Sequence, residues 1–342
     1  WRGGAETSTN EFVRQLVRAG CEVHLLTASP VPSTPYVQVR QFAPRVALRA
    51  RRTAGFVRRV QRHLATSHYD IVHAITPLPG CDVYEPRGGT VAETVARNLA
   101  LLRKPAIRRL KDLGNSLNLK QKMLLRLERR VFEQAPPTVI VAISRYVVRQ
   151  LRMHYQVSRS AIRLIFNGVD VPDVPPARRR AEAEQIRAQY SIRPGELVLV
   201  TVAHNFRLKG VARLIEAIEI LARQGGPEVK ALVIGRANPR RYHALASRLG
   251  VQDRVVFVGT TQRVMAYYHA ADICVHPTYY DPCSRVVLEA LSAGLPCITT
   301  RYNGAAEVMR DGVHGYVLDS PDDVAGLAAA ICRLAEPDHR RA

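Results

Sequence analysis

The sequence predicts an α/β protein made of two doubly wound domains, each a parallel sheet covered by helices on both faces. Three observations carry that expectation. From residue 196 onward, short runs of Val, Ile and Leu alternate strictly with helical patterns. Near the start, a Gly3-Gly4 turn leads into a helix and then a strand, the order of a βαβ unit. Between these regions Pro172, Pro175 and Pro176 form a stiff linker. The boundaries that follow are 1–170 for the first domain, 171–195 for a linker and helix, and 196–342 for the second. With 342 residues and 47% hydrophobic composition, the chain has enough apolar side chains for two packed cores.

The first domain opens as a Rossmann-like unit whose first strand is missing, because Trp1 stands at the start and no strand precedes the Gly-Gly turn. A helix over 7–19 places Phe12, Leu16 and Val17 on one side, and Gly20 ends it before a strand over 22–27. Residues 36–42 alternate as a second strand, 51–67 form a basic helix, and 70–75 form a third strand. The segment Pro79-Gly80-Cys81-Asp82-Val83-Tyr84 reads as the loop beyond that strand's carboxyl end, where doubly wound sheets keep their ligands, so Asp82 is a candidate. His73 lies near the same edge but is more simply a core histidine. Residues 104–134 make a strongly basic helix with Leu117, Met123, Leu124, Leu127 and Phe132 on its apolar side. Such a helix suits an anionic membrane surface or an ordinary exterior position equally. A strand over 138–143, a helix from Ser144 to Tyr155 and a strand over 162–166 complete the domain at Asn167-Gly168-Val169-Asp170.

In the second domain strands are expected at 197–203, 230–235, 255–259, 273–276, 297–300 and 316–318. The first is followed by His204-Asn205-Phe206-Arg207-Leu208-Lys209-Gly210. Arg207 and Lys209 sit beside a helix N-terminus, where the dipole gives a cation no reason to be; an anion explains both. The most informative stretch is 276–307. It reads as a strand end, a Pro-broken loop over 279–284, a nearly apolar helix over 285–293, another strand, and a turn at Asn303-Gly304. Glu289 stands among Val286, Val287, Leu288, Ala290 and Leu291, where an unpartnered carboxylate would cost several kcal/mol, so something polar should meet it. The unpaired N–H groups near Cys283, Ser284, Arg285 and Val286, at the positive end of the helix dipole, suit an anion such as a diphosphate.

Charge is uneven. Up to Tyr190 there are 32 Lys and Arg against 14 Asp and Glu, net +18, whereas the remainder has 18 against 15, net +3. The clusters include Arg49-Arg51-Arg52, Arg103 to Lys111, Lys120 to Arg130 and Arg178-Arg179-Arg180. A basic face of this kind fits an anionic lipid surface or a phosphorylated glycan. Nucleic acid is disfavoured, because no helix-turn-helix, zinc-finger, RNP or GXXG pattern is present. The six cysteines are scattered without metal spacing, as in a reduced cytoplasmic protein, and no apolar run approaches 18 residues.

Asp281 and Glu289, an acid and a Glu with seven residues between them, resemble the donor-site signature of GT-B glycosyltransferases of family 4. The resemblance implies two Rossmann-like domains facing each other across a cleft. It implies that Glu289 takes the ribose hydroxyls of a nucleotide sugar, the amides of Cys283 to Val286 its diphosphate, and Asp281 the hydroxyls of the transferred sugar. Lys209 and Arg207 would neutralise the leaving diphosphate. Gly3 and Gly4, Asn205, Gly235 and Asn303 would complete the donor pocket, and Asp82 would join the catalytic set. PGCDVY, FRLKGVARLIEA, GRANPRRYHALASRLGV and HPTYYDP further resemble the branch that adds glucose to lipopolysaccharide core. That branch carries an acid one turn into the first helix, where this chain has Ser8. The resemblance thus implies a retaining transfer of a hexose, by expectation glucose, from a UDP-sugar to an anionic cell-envelope glycan or glycolipid. No metal and no cofactor are implied beyond that co-substrate, and the site would be cytoplasmic, on the inner face of the membrane. A nucleotide-sugar 2-epimerase or a non-catalytic nucleotide-sugar-binding homologue shares the architecture.

Overall fold

The computed structural model describes residues 4–31, 35–42, 49–102, 118–170 and 173–336. The chain divides into two compact units: unit 1 comprises residues 1–143 and 147–165, and unit 2 comprises 144–146 and 166–342.

Unit 1 begins with α1 (Gly4–Arg18), and β1 (Val23–Thr27) pairs in parallel with β2 (Val37–Gln41). After α2 (Arg49–Leu64), a second parallel sheet runs in the order β3 (His73–Ala74), β4 (Val83–Tyr84), β5 (Val139–Ala142), β6 (Ile162–Leu164). Helices α3 (Val91–Ala100), α4 (Leu119–Glu133) and α5 (Arg145–Tyr155) accompany it. Among the described residues β1 pairs only with β2, and β3 only with β4. Val57 and Val60 of α2 pack against Ala74, Leu78, Cys81, Tyr84 and Val131 to make the core.

Two expectations for this unit are corrected. The strand over 70–75 is only two residues long, and Val83–Tyr84 is itself a strand, not loop. Asp82 therefore stands at the amino end of β4, opposite the ligand edge; its carboxylate accepts the Val72 N–H at 2.7 Å and fastens the entry to β3. Gly3, the Arg103 to Lys111 cluster and Pro172 lie outside the described residues.

Unit 2 is a six-stranded parallel sheet of order β12-β11-β10-β7-β8-β9. Its strands are β7 (Leu197–Val202), β8 (Val229–Ile234), β9 (Val255–Gly259), β10 (Ile273–Val275), β11 (Cys297–Thr300) and β12 (Gly315–Leu318), each within a residue or two of its expected place. The near-continuous apolar runs are those of strands covered on both faces. Leu197 and Leu199 of β7, Ile215 and Ile218 of α7 (Val211–Arg223), and Ile331 of α11 (Val324–Ala335) lie in one buried core. The helix expected beside the linker is α6 (Pro176–Gln189), and it packs within unit 2. Arg187 meets Asp272 at 2.9 Å, and Glu182 meets His269 of α9 (Val264–Ala270) at 2.9 Å. β7 has β8 on one side and β10 on the other, so strand order reverses there. The carboxyl ends of β7 and β10 are thus the topological switch point, where open parallel sheets bind ligands.

Candidate active site

The loops leaving β7 and β10 are fastened together at that switch point. Asn205 Oδ1 accepts the Leu208 N–H at 3.1 Å, which turns the chain. The Leu208 carbonyl then accepts Tyr279 N–H at 2.8 Å and Thr278 Oγ1 at 3.1 Å. Gly210, at φ +72°, precedes α7, and a Cβ there would lie 2.1 Å from the Pro277 carbonyl oxygen, so only glycine permits the approach. Gly235 is equally constrained at the end of β8: φ is +151° and a Cβ would meet Ala203 O at 1.7 Å.

This fastening brings Lys209 and Asp281 together. Lys209 Nζ lies 2.5 Å from Asp281 Oδ2 and donates to the Tyr280 carbonyl at 3.1 Å. The two side chains are 17% and 15% exposed. Asp281 is held by its backbone as well, with its N–H on Tyr302 O and its carbonyl accepting Gly304 N–H, both at 2.9 Å. Burial by itself would raise the Asp281 carboxyl, but the Lys209 charge and the neighbouring His276 outweigh it and hold the group well below the usual carboxylate range. His276 Nε2 is 3.6 Å from the same carboxylate oxygen, and its ring is fully buried. That burial lowers its pKa, so the imidazole is neutral at neutral pH.

Helix α10 (Arg285–Ser292) starts beside this pair. Its first-turn amides, Val286 among them, have no intrahelical acceptor. The Ser284 N–H is spent on Asn303 Oδ1 at 3.1 Å. Asn303 also accepts Ala305 N–H at 3.0 Å, gives Nδ2 to Thr299 Oγ1 at 2.9 Å, and is 1% exposed. Asn303, expected in the donor pocket, is held by these bonds at the turn beside the start of α10. Cys283 is buried, which pushes its thiol up to about 12, and its carbonyl accepts Asn167 Nδ2 at 3.3 Å. The Asn167-Gly168 turn is further held by Arg285, whose Nη1 reaches Gly168 O at 3.2 Å.

The polar group that Glu289 was expected to meet is Tyr268 of α9, whose hydroxyl donates to Oε2 at 3.2 Å; Arg285 Nε stands 3.5 Å from Oε1. Glu289 remains 27% exposed, so it is not sealed in the core. Neither Tyr268 nor His276 was assigned a role from sequence. Glu289 announces that a partner exists, but nothing in a one-dimensional pattern places Tyr268 twenty-one residues upstream beside it.

Arg207 is exposed, and with His204, Asn205, Arg240, Arg241 and Tyr242 it lines a cavity of about 520 Å³. The guanidinium of Arg241 lies 4.6 Å from the Tyr242 ring centroid there. Gly4 and Asp82 belong to unit 1. Among the described residues, no three His, Cys, Asp or Glu side chains are grouped as a metal site would need.

A switch-point ion pair beside a helix N-terminus is the arrangement to compare with known proteins. Residues 2–172 match the model described as Glycosyltransferase Family 4, and residues 182–342 match that of glycosyl transferases group 1. The chain belongs to glycosyltransferase family 4. It is 30% identical over 271 residues to lipopolysaccharide glucosyltransferase WaaG of Escherichia coli K12, covering 79% of this chain and 69% of that protein. It is 26% identical to a D-inositol 3-phosphate glycosyltransferase of Mycobacterium sp. strain KMS over 349 residues, 94% of this chain and 75% of that one. A crystal structure of WaaG superposes with a TM-score of 0.83 at 26% identity, over 100% of this chain and 89% of that one. Anabaena HepE in complex with UDP-glucose, 20% identical, matches with a TM-score of 0.66 over 89% of this chain and 78% of its own. The family-4 chain is therefore a glycosyltransferase with an α/β, GT-B-like fold of two Rossmann-like domains.

Proposed function

We propose that this glycosyltransferase moves a hexose, glucose by preference, from a UDP-sugar to a lipopolysaccharide-core type of glycan, with retention of configuration and without a metal ion. The observation that carries the donor side is the Lys209–Asp281 pair beside the start of α10. In this reading the first-turn amides of α10 and the Arg207 cavity receive the diphosphate. Fixed donors in a partly desolvated site stabilise charge that develops on a leaving group. Lys209 has three N–H donors and spends two on Asp281 and Tyr280, leaving one for the leaving phosphate. Asp281, ionised at neutral pH, accepts hydroxyl protons of the transferred sugar. Glu289, steadied by Tyr268, takes the ribose diol. The glucose and lipopolysaccharide assignments are supported by the likeness to the E. coli enzyme.

The basic excess of the first 190 residues would draw the chain to an anionic, cytoplasmic membrane surface. Among the described residues no helix is long and apolar enough to cross a membrane. Co-sedimentation with phosphatidylglycerol vesicles but not phosphatidylcholine vesicles, lost in high salt, tests that part.

The catalytic proposal is tested by release of nucleoside diphosphate from UDP-, GDP- and ADP-sugars in EDTA, with and without extracted lipopolysaccharide core. Acceptor-stimulated release from UDP-glucose that survives EDTA and disappears in Lys209→Ala supports it. Release that requires added metal contradicts it.

A further inference from the structure

The switch point of unit 2 holds one buried titratable side chain to which the proposed reaction gives no task. His276 follows β10 directly, and its backbone is tied to β11: its N–H donates to Ile298 O at 2.7 Å, and its carbonyl accepts Thr299 Oγ1 at 2.9 Å. These bonds hold the position whatever side chain stands there. The residue is 0% exposed, and Nδ1 of its ring has no hydrogen-bond partner among the described residues. An orphaned polar atom in the interior costs stability, so an apolar side chain of similar size would suit the fold at least as well. The reason for an imidazole lies on its other nitrogen.

Nε2 stands 3.6 Å from Asp281 Oδ2 and 3.4 Å from Ser284 Oγ. Lys209 Nζ meets the same carboxylate oxygen, Oδ2, at 2.5 Å. Both side-chain partners of Asp281 thus gather on one oxygen, and Oδ1 accepts no hydrogen bond among the described residues. A lysine on its flexible stem does not by itself tell two carboxylate oxygens apart. A rigid ring on the same side as the ammonium does, because turning the carboxylate over would break two contacts at once. The tautomer follows from the same geometry. A bare Nε2 would set its lone pair against a carboxylate, whereas an N–H there is attracted to it. Burial keeps the ring neutral, so the proton sits on Nε2 and the Nδ1 lone pair is the orphan.

We propose that His276 is a positioning residue of the donor site: its Nε2–H, together with Lys209, holds Oδ2 of Asp281 so that Oδ1 is presented to a hydroxyl of the transferred sugar. This rests on the reading above that Asp281 meets the sugar of a nucleotide-sugar donor, and it adds which oxygen does so and what aims it. His276 acts through Asp281 and moves no proton. At 3.6 Å its hold is a polar contact longer than a full hydrogen bond, so its effect is smaller than that of Lys209.

The test uses the full chain. In wild type, nitrogen-15 spectra of the His276 ring should show Nε2 protonated and Nδ1 bare. His276→Leu should melt at or above the wild-type temperature, because it removes the orphaned nitrogen. Its kcat/KM for UDP-glucose should nevertheless fall about 10-fold, with the dissociation constant for UDP within about 3-fold of wild type. His276→Gln, whose side-chain N–H can take the place of Nε2–H, should recover part of the loss. Transfer from the 2-, 3-, 4- and 6-deoxy forms of UDP-glucose then finds the hydroxyl. One of them should react slowly with wild type, and on that donor wild type and His276→Leu should differ by less than about 2-fold, since the hydroxyl that Oδ1 accepts from is gone. A wild-type ring protonated on Nδ1, or a wild-type rate indifferent to every deoxy donor, overturns the proposal even where no variant folds. So does a folded His276→Leu protein with the wild-type kcat/KM, or one equally impaired on all five donors, as a merely structural role would give. Failure of wild type to bind any nucleotide sugar overturns the donor reading instead, and the nitrogen-15 spectrum, which needs no donor, still decides the His276 contact.

Discussion

Asp281 in unit 2 and Glu128 in unit 1 are both carboxylates drawn away from water, and the chain supplies them with opposite kinds of partner. Glu128, on α4, is 0% exposed and accepts Tyr84 Oη at 2.9 Å, Val91 N–H at 2.8 Å and the hydroxyl of Tyr155. Burial raises its carboxyl, and these neutral donors recover only part of the shift. Asp281 has a lysine instead, and its carboxyl is pushed down. The Glu128 knot ties β4, the start of α3, α4 and α5 together, and is architecture. The Asp281 pair keeps an unspent donor on Lys209 and some exposure at a sheet's switch point, and is suited to chemistry.

The two groups leave opposite pH signatures. Asp281, lowered when folded, contributes stability above the unfolded carboxyl value that is lost as pH falls through the folded one. Glu128, raised when folded, contributes most below its unfolded value and loses that contribution as pH rises through the folded one.

The sharpest break in the comparison is Lys209→Ala, which should lower the transfer rate by about 100-fold to 1000-fold, as removal of a preorganised donor does, measured as initial rates with saturating donor. It also leaves Asp281 buried without a cation. Its carboxyl should then rise, so this variant gains more stability than wild type does as pH is lowered from about 7 to 5 in thermal melts. Next in size, Glu128→Ala strands two tyrosine hydroxyls and an amide and should cost about 3 kcal/mol by urea denaturation, with donor affinity untouched. Glu128→Gln removes only the titration. The stability of wild type relative to this variant should decline as pH rises through the raised Glu128 carboxyl, measured by urea denaturation across the carboxyl range. Smallest is Arg207→Ala, which should weaken UDP-sugar binding about 10-fold by calorimetry while changing stability by less than about 0.5 kcal/mol, because the side chain is exposed.

Unit 2 was legible in the sequence because buried parallel strands read as unbroken Val, Ile and Leu runs, bounded by Gly and Pro; all six emerged near their observed ends. Unit 1 was harder. A two-residue strand such as β4 has no periodicity to detect, so Asp82 was placed on the wrong edge. α3 went unread although Thr90-Val91-Ala92-Glu93 carries the capping-box pattern, with Glu93 N–H on Thr90 Oγ1 at 3.3 Å. In the site, Glu289 and Lys209 stood out as charges in apolar or dipole-opposed settings, and Asp281 through its resemblance to the family's donor-site spacing. Their partners did not, since the Lys209–Asp281 pairing spans seventy-two positions and depends on Gly210 letting two loops touch. Asn303 shows the converse: at a turn beside the site, its side-chain oxygen accepts two backbone amides and its Nδ2 donates to the Thr299 hydroxyl.

The most direct test of the contrast is the initial rate of sugar transfer in EDTA for wild type, Asp281→Asn and Glu128→Gln, side by side at a temperature below all three melts. The account predicts that Asp281→Asn, still folded, falls at least about 100-fold, while Glu128→Gln stays within about 3-fold of wild type. A folded Asp281→Asn protein that transfers sugar at the wild-type rate, or a Glu128→Gln loss of equal size, would contradict it.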